Sequence, residues 1–211
     1  MLNPMHSHSL LPFRRLMVCA AFLAITLTPI IMPAASRDES WMKIDEALKQ
    51  GLPKTAIELL LPVESEAVRD RAFAEAARAL VQRIALEGVI QGNKPEEKIT
   101  RLEAAFDAAA PEVRPALDAI LAHWYWQYFQ QNRWRFMRRT ATAEAPGQDF
   151  TTWDLPRLFA AIDARYRQAL SADMFLRSTP VAAWDRLLDQ GTMPDRYRPT
   201  LFDFIAQEAL Q

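Results

Sequence analysis

The chain has 211 residues, with 25 basic and 26 acidic side chains, three histidines and a single cysteine. So even a charge balance argues against non-specific nucleic-acid binding, which draws on a strongly basic surface. One cysteine allows no intrachain disulfide, so stability has to come from a packed core, and the length suffices for one.

The first 36 residues read as a secretory signal peptide. Arg14 and Arg15 form a positive start, Leu16 to Thr28 is a mostly apolar run, Pro29 breaks it, and Ala34-Ala35-Ser36 supplies the small residues of a cleavage site. The rival is an uncleaved anchor, the one route by which this chain would meet a membrane. Leu16 to Met32 spans only 17 residues, against the ~20 of a spanning helix, so cleavage is the expectation. Cys19 lies inside the apolar run after Val18, which does not suit a lipidation signal. Without residues 1–36 the chain keeps 23 basic and 26 acidic side chains, no cysteine and one histidine, His123.

From residue 37 onward the pattern is all-α. Ala, Leu, Glu, Arg and Gln dominate, and no stretch sustains the alternation of a half-buried strand. Ser40 is expected to cap a helix over Trp41 to Gln50, ended by Gly51. Pro53 opens a second over Lys54 to Leu60, closed by Pro62. A third is predicted from Glu64 to Glu87, with Val68, Ala72, Phe73, Ala76, Leu80, Val81 and Ile84 on one face and Gly88 and Gly92 at its end. Pro95 starts a fourth, carrying Ile99, Leu102 and Phe106, and Pro111 divides it from a fifth over Glu112 to Arg139.

Residues 140–152 form the one extended loop, and Thr152 is expected to cap a helix with Leu155, Leu158, Phe159, Ile162 and Tyr166 facing inward. Pro180 opens a helix over Val181 to Gln190, and Pro199 the last, Thr200 to Gln211. The expectation is an antiparallel array of about eight helices in hairpins, either a solenoid like tetratricopeptide arrays or an irregular bundle. The last helix is apolar on more than one side and calls for a further layer to cover it.

The most distinctive stretch is AHWYWQYFQQNRWRFMRRT, residues 122–140, where seven of the thirteen residues from Trp124 to Phe136 are aromatic. A base-stacking platform would set such rings along a basic groove, and the domain is not basic. A membrane-surface helix would carry a lysine-rich face, and the stretch has no lysine. A helix apolar nearly all round is one packed on several sides, so these rings are assigned to the core. Tyr hydroxyls and Trp N–H groups then need partners, for which the Gln127, Gln130, Gln131 and Asn132 amides and facing backbone carbonyls are expected. Arg133, Arg135, Arg138 and Arg139 are expected to pair with acids or cover rings.

Nothing in the sequence marks a catalytic or cofactor site. His123 stands alone, whereas a metal site needs three or four ligands. There is no GxSxG, HExxH or glycine-rich phosphate loop. The acid pairs Asp38-Glu39 and Glu96-Glu97 fall where first helical turns favour negative charge.

Five segments in order, GLPKTAIELL (Gly51 to Leu60), KPEEKITRLEAAF (Lys94 to Phe106), LAHWYWQYFQQNRWRFMRRT (Leu121 to Thr140), TTWDLPRLF (Thr151 to Phe159) and RPTLFDFIAQEAL (Arg198 to Leu210), carry a further signal. Together they resemble the N-terminal helical segment of large bacterial alpha-2-macroglobulin-like proteins, over essentially the whole chain from Trp41. The resemblance implies an exported endopeptidase inhibitor in which a helical N-terminus precedes β-sandwich macroglobulin domains, often with a bait region and a thioester. The partners it implies are the rest of such a protein and the proteases it traps. No CxEQ thioester motif occurs here and no bait or thioester residue carries over, so a truncated product, a split gene or a gene-prediction fragment is expected, not inhibitory alone. Two other roles remain open: a free-standing periplasmic scaffold that binds peptides or other envelope proteins, and an enzyme using carboxylates brought together by folding.

Overall fold

In the computed structural model, residues 37–210 are described apart from 93, 139–146, 148, 189–190 and 192. The expected signal segment lies outside the described residues, as does most of the expected loop before the sixth predicted helix. What is described is all-α, with no strand among the described residues and a lone antiparallel bridge between Pro180 and Thr200.

Helix α1 (Asp38–Lys49) buries Trp41, Ile44 and Ala47 and starts three residues before the sequence predicts. Ser40 is therefore inside the helix, and Arg37 takes the N-cap position without a side-chain cap bond. Its role is tertiary instead. Its guanidinium donates to Asp70 at 2.8 Å and to Glu75, so the start of α1 is tied to the distant 70–75 segment.

Helix α2 (Pro53–Arg69) runs straight through Pro62, where the sequence predicted an end. Ala56, Leu60, Val63 and Ala67 form one buried stripe across the proline. Pro62 and Glu58, whose carbonyl loses its intrahelical donor, are both exposed, so water can serve that carbonyl. The burial of the stripe outweighs a proline on the wet face.

The predicted third helix is broken instead at 70–72. Arg71 adopts a left-handed conformation, φ 59°. The Ala72 N–H donates to the Ala67 carbonyl at 2.8 Å and the Arg71 N–H to that of Val68 at 3.1 Å, which is the Schellman closure of a helix. Helix α3 (Phe73–Ile90) then follows, with Ala76, Ala77, Ala79, Leu80, Ile84 and Gly88 buried, and Gly92 closes it at φ 101°.

Helix α4 (Pro95–Phe106) buries Ile99 and Leu102 as predicted, while Phe106 is half-buried. Helix α5 (Arg114–Gln131) stops at Asn132, φ −112°, and a short α6 (Arg133–Met137) follows that break. After a 3-10 turn at Phe150–Thr152, helix α7 (Leu155–Leu170) is capped by Asp154, whose carboxylate accepts from the Arg157 N–H at 2.9 Å. Thr152 is not the cap: its hydroxyl donates back to the Asp149 carbonyl at 2.7 Å.

Helix α8 (Asp173–Ser178) has no counterpart in the sequence prediction. The predicted helix over 181–190 is a 3-10 turn, Val181–Trp184, followed by irregular turns. Helix α9 (Leu201–Glu208) ends earlier than predicted and opens on a capping box. The Asp203 N–H donates to the Thr200 hydroxyl oxygen at 3.2 Å, and the Thr200 N–H donates to the Asp203 carboxylate at 3.1 Å. Successive helices α1 to α5 pack side by side, α7 lies along α5, and α9 packs on α7 and α8. None of the described helices is long and apolar enough to cross a membrane.

Candidate functional site

Helix α5 is packed between α4 and α7, and its sequence dictates why. Leu117, Leu121, Trp124, Tyr125, Tyr128 and Phe129 point to different sides and are all buried. A helix like that can only exist between neighbours. On one side the ring of Phe150 meets Tyr125 and Tyr128 edge-on, at centroid distances of 5.4 and 5.1 Å. On another, Phe159 of α7 meets Phe129 at 5.0 Å and Trp126 at 6.2 Å. The rings are core filling. Trp126 is half-buried, and Trp134 is 80% exposed.

Of the partners expected for such polar atoms, a backbone carbonyl serves Trp153, while the Tyr125 and Tyr128 hydroxyls meet a carboxylate and an arginine. The Tyr125 hydroxyl donates to Glu103 of α4, and burial followed by this carboxylate pushes its pKa up. Trp153 donates its indole N–H to the Gly147 carbonyl at 2.8 Å. Of the interleaved arginines, Arg135 donates to the Tyr128 hydroxyl and to the Thr151 carbonyl, both at 3.4 Å, whereas Arg139 lies outside the described residues. Gln127 faces His123 with 2.8 Å between their Nε2 atoms and accepts from Lys98 at 3.3 Å. Lys98 itself lies 4.8 Å from the Trp124 ring centre, and burial lowers its pKa.

One buried charge went unnoticed in the sequence. Asp118 is 2% exposed on α5 and accepts from Arg165 of α7 at 2.9 Å. Burial raises its pKa despite the arginine. An acid inside the apolar run from Ala116 to Ala122 is the signal that could have found it. The acid pairs Asp38-Glu39 and Glu96-Glu97 do sit in first turns, of α1 and α4. Among the described residues no three metal-ligating side chains gather.

Two cavities flank the last turn of α9. The inner one, about 240 Å³, lies between α3, α5, the 187–188 turn and α9. The outer one, about 440 Å³, is lined by Trp126, Phe159, Ile162, Leu170 and Ala209, with Asp163 and Arg167 at its edge. His123, Tyr166 and Glu208 line both and form a polar waist between them. Burial, then the Glu208 charge, pushes the Tyr166 hydroxyl up to about 12. The pair is an apolar recess with hydrogen-bonding groups at one level, suited to holding a ligand or a partner side chain. A third recess, about 300 Å³, lies between α1, α3 and the Val181–Trp184 turn, where Arg78 stacks 3.6 Å from the Trp41 ring centre. The chain matches no protein-family model, no curated protein and no solved structure.

Proposed function

We propose that this chain is a non-catalytic helical module of a bacterial alpha-2-macroglobulin-like endopeptidase inhibitor, exported from the cytoplasm, contributing contacts and positioning rather than inhibiting a protease alone. The observation that supports this reading is where the resembling segments meet. Tyr125 donates to Glu103 of KPEEKITRLEAAF and lies 5.9 Å from Trp153 of TTWDLPRLF. Phe159 of the latter segment packs on Trp126 and Phe129. The residues that make those segments distinctive are thus the ones that hold each other in place. With the rings spent on packing, the chain acts through helix surface and the α5/α7/α9 recess.

The outer cavity favours a second reading, a free-standing periplasmic scaffold that takes an apolar side chain of a peptide or envelope protein between Trp126 and Phe159. A photo-crosslinking residue placed at Phe159 of the full chain in its own host separates the two. Capture of a polypeptide with macroglobulin-like β-domains is the result expected of the module. Capture only of peptides or unrelated envelope proteins overturns it in favour of the scaffold, and recovery of the chain solely from the cytoplasm overturns both.

A further inference from the structure

The inner cavity is dry in its chemistry along most of its wall. Val81, Ala116, Ile120, Leu187, Phe204 and Ile205 come from four different elements and present only hydrocarbon. A cavity of about 150 Å³ lined by such side chains stays free of water and admits a single aromatic ring. At about 240 Å³ this one is larger, roomy enough for a two-ring aromatic body or a short alkyl chain. The polar groups are the waist formed by His123, Tyr166 and Glu208 and, on the α5 wall beside it, the Gln127 amide, which is engaged by Lys98.

Those groups select the head of a ligand. A phenol O–H donates and a carboxylate accepts several hydrogen bonds at once. A hydroxyl head can therefore accept from Tyr166 while donating to Glu208, whatever else Glu208 holds. An anionic head is repelled by the Glu208 charge, and a head without hydrogen cannot donate to that carboxylate.

We propose that the inner cavity is a binding site for a small uncharged amphiphile, an aromatic or alkyl body ending in one hydroxyl that reaches the Tyr166–Glu208 waist. The site shares its waist with the recess of the module reading, but its test is read without reference to that role.

Calorimetric titration of the full chain with 1-naphthol tests the proposal. The expected result is saturable one-to-one binding with Kd on the order of 10–100 μM, a range that ligand efficiency permits for about eleven heavy atoms. The carboxylate 1-naphthoate is expected to bind roughly tenfold more weakly or worse, and Glu208→Gln to erase most of that difference. Ala119→Phe, which puts a ring into the cavity from α5, is expected to abolish naphthol binding. Should that variant misfold, the Glu208→Gln selectivity still decides. No saturable naphthol binding to the natural chain, equal binding of naphthol and naphthoate, or undiminished binding by folded Ala119→Phe overturns the assignment.

Discussion

Where α2 lies along α3, the buried side chains are aliphatic and mostly alanine: Ala56, Leu60 and Val63 cluster with Ala79, and Ala67 with Ala76, Ala77 and Leu80. Where α5 lies along α7, they are rings, with Phe159 against Trp126 and Phe129 and a buried Asp118–Arg165 pair. The first contact is ordered at its rim by charge. Arg37 holds Asp70 and Glu75, and Glu64, Arg83, Glu87 and Arg101 form a chain of ion pairs at 2.9 to 3.1 Å linking α2, α3 and α4. The second is ordered from within, by edge-to-face ring geometry worth about 0.5–1.5 kcal/mol per pair beyond the area buried. Rim charges contribute little each, whereas rings carry large burial terms. Stability is thus concentrated in the aromatic centre.

The sharpest way to break that comparison is Phe150→Ala. Phe150 is 1% exposed and touches Tyr125, Tyr128 and Trp153. Its loss should cost about 3–5 kcal/mol, read as a lower urea midpoint at unchanged slope. Ala79→Gly in the alanine contact removes one methyl and should cost about 1 kcal/mol. Trp134→Ala, at an exposed ring, should stay within about 0.5 kcal/mol. Equal losses at 150 and 79 would mean that the centre holds no special share.

Next in size is Arg165→Met, which keeps the stem but leaves the Asp118 carboxylate buried without its cation. The expected cost near neutral pH is about 3 kcal/mol. Its pH dependence has a definite sign. The Asp118 pKa is raised in the folded protein by burial, so above the ordinary carboxylate range the folded state binds more protons than the unfolded one. Stability from this group is then present at low pH and lost as pH rises through the folded pKa. Removing Arg165 raises that pKa further, so the penalty of Arg165→Met should shrink to about 1 kcal/mol as the pH falls and the carboxyl protonates. Denaturation of both proteins across pH 4–8 measures it, and a penalty that grows on acidification would show that Asp118 is not the group exposed by the change.

How far the fold could be read from sequence follows the same division. The all-α class, the helix stripes and the burial of the rings at 124, 125, 128, 129 and 136 were legible, because periodicity and all-round apolarity report burial directly. Boundaries were not. Pro62 reads as a stop, yet the stripe Ala56, Leu60, Val63, Ala67 continues across it, and a proline on a wet face yields to such a stripe. The short α8 and the irregular 185–188 turns have too few residues for a period to show. The waist residues Tyr166 and Glu208 come from helices far apart in sequence, so only the folded chain brings them together at one cavity. Asp118, by contrast, stood in an apolar run and could have been found.

The smallest effect is the most diagnostic of why one boundary was missed. Helices α1 and α2 end in the same way. After α1, the Leu52 N–H donates to the Ala47 carbonyl at 2.9 Å and the Gly51 N–H to that of Leu48 at 3.0 Å, with Gly51 at φ 69°. After α2, Ala72 and Arg71 make the same two bonds to Ala67 and Val68, but the left-handed position holds an arginine. The glycine announced its turn in the sequence and the arginine did not. A left-handed non-glycine residue costs about 1–2 kcal/mol, and the Arg37 contacts to Asp70 and Glu75 straddle the strained residue and hold it. Arg71→Gly should therefore stabilise the protein by roughly 0.5–1 kcal/mol after the entropy of a freer unfolded chain is subtracted, a rise of about 1–4 °C in Tm. Gly51→Ala, where no atom lies within 4 Å of the added Cβ, should cost about 1 kcal/mol from backbone strain alone. Paired thermal melts check both signs, and a loss of stability in Arg71→Gly would mean that the arginine side chain, not the turn it occupies, is what α2 and α3 require there.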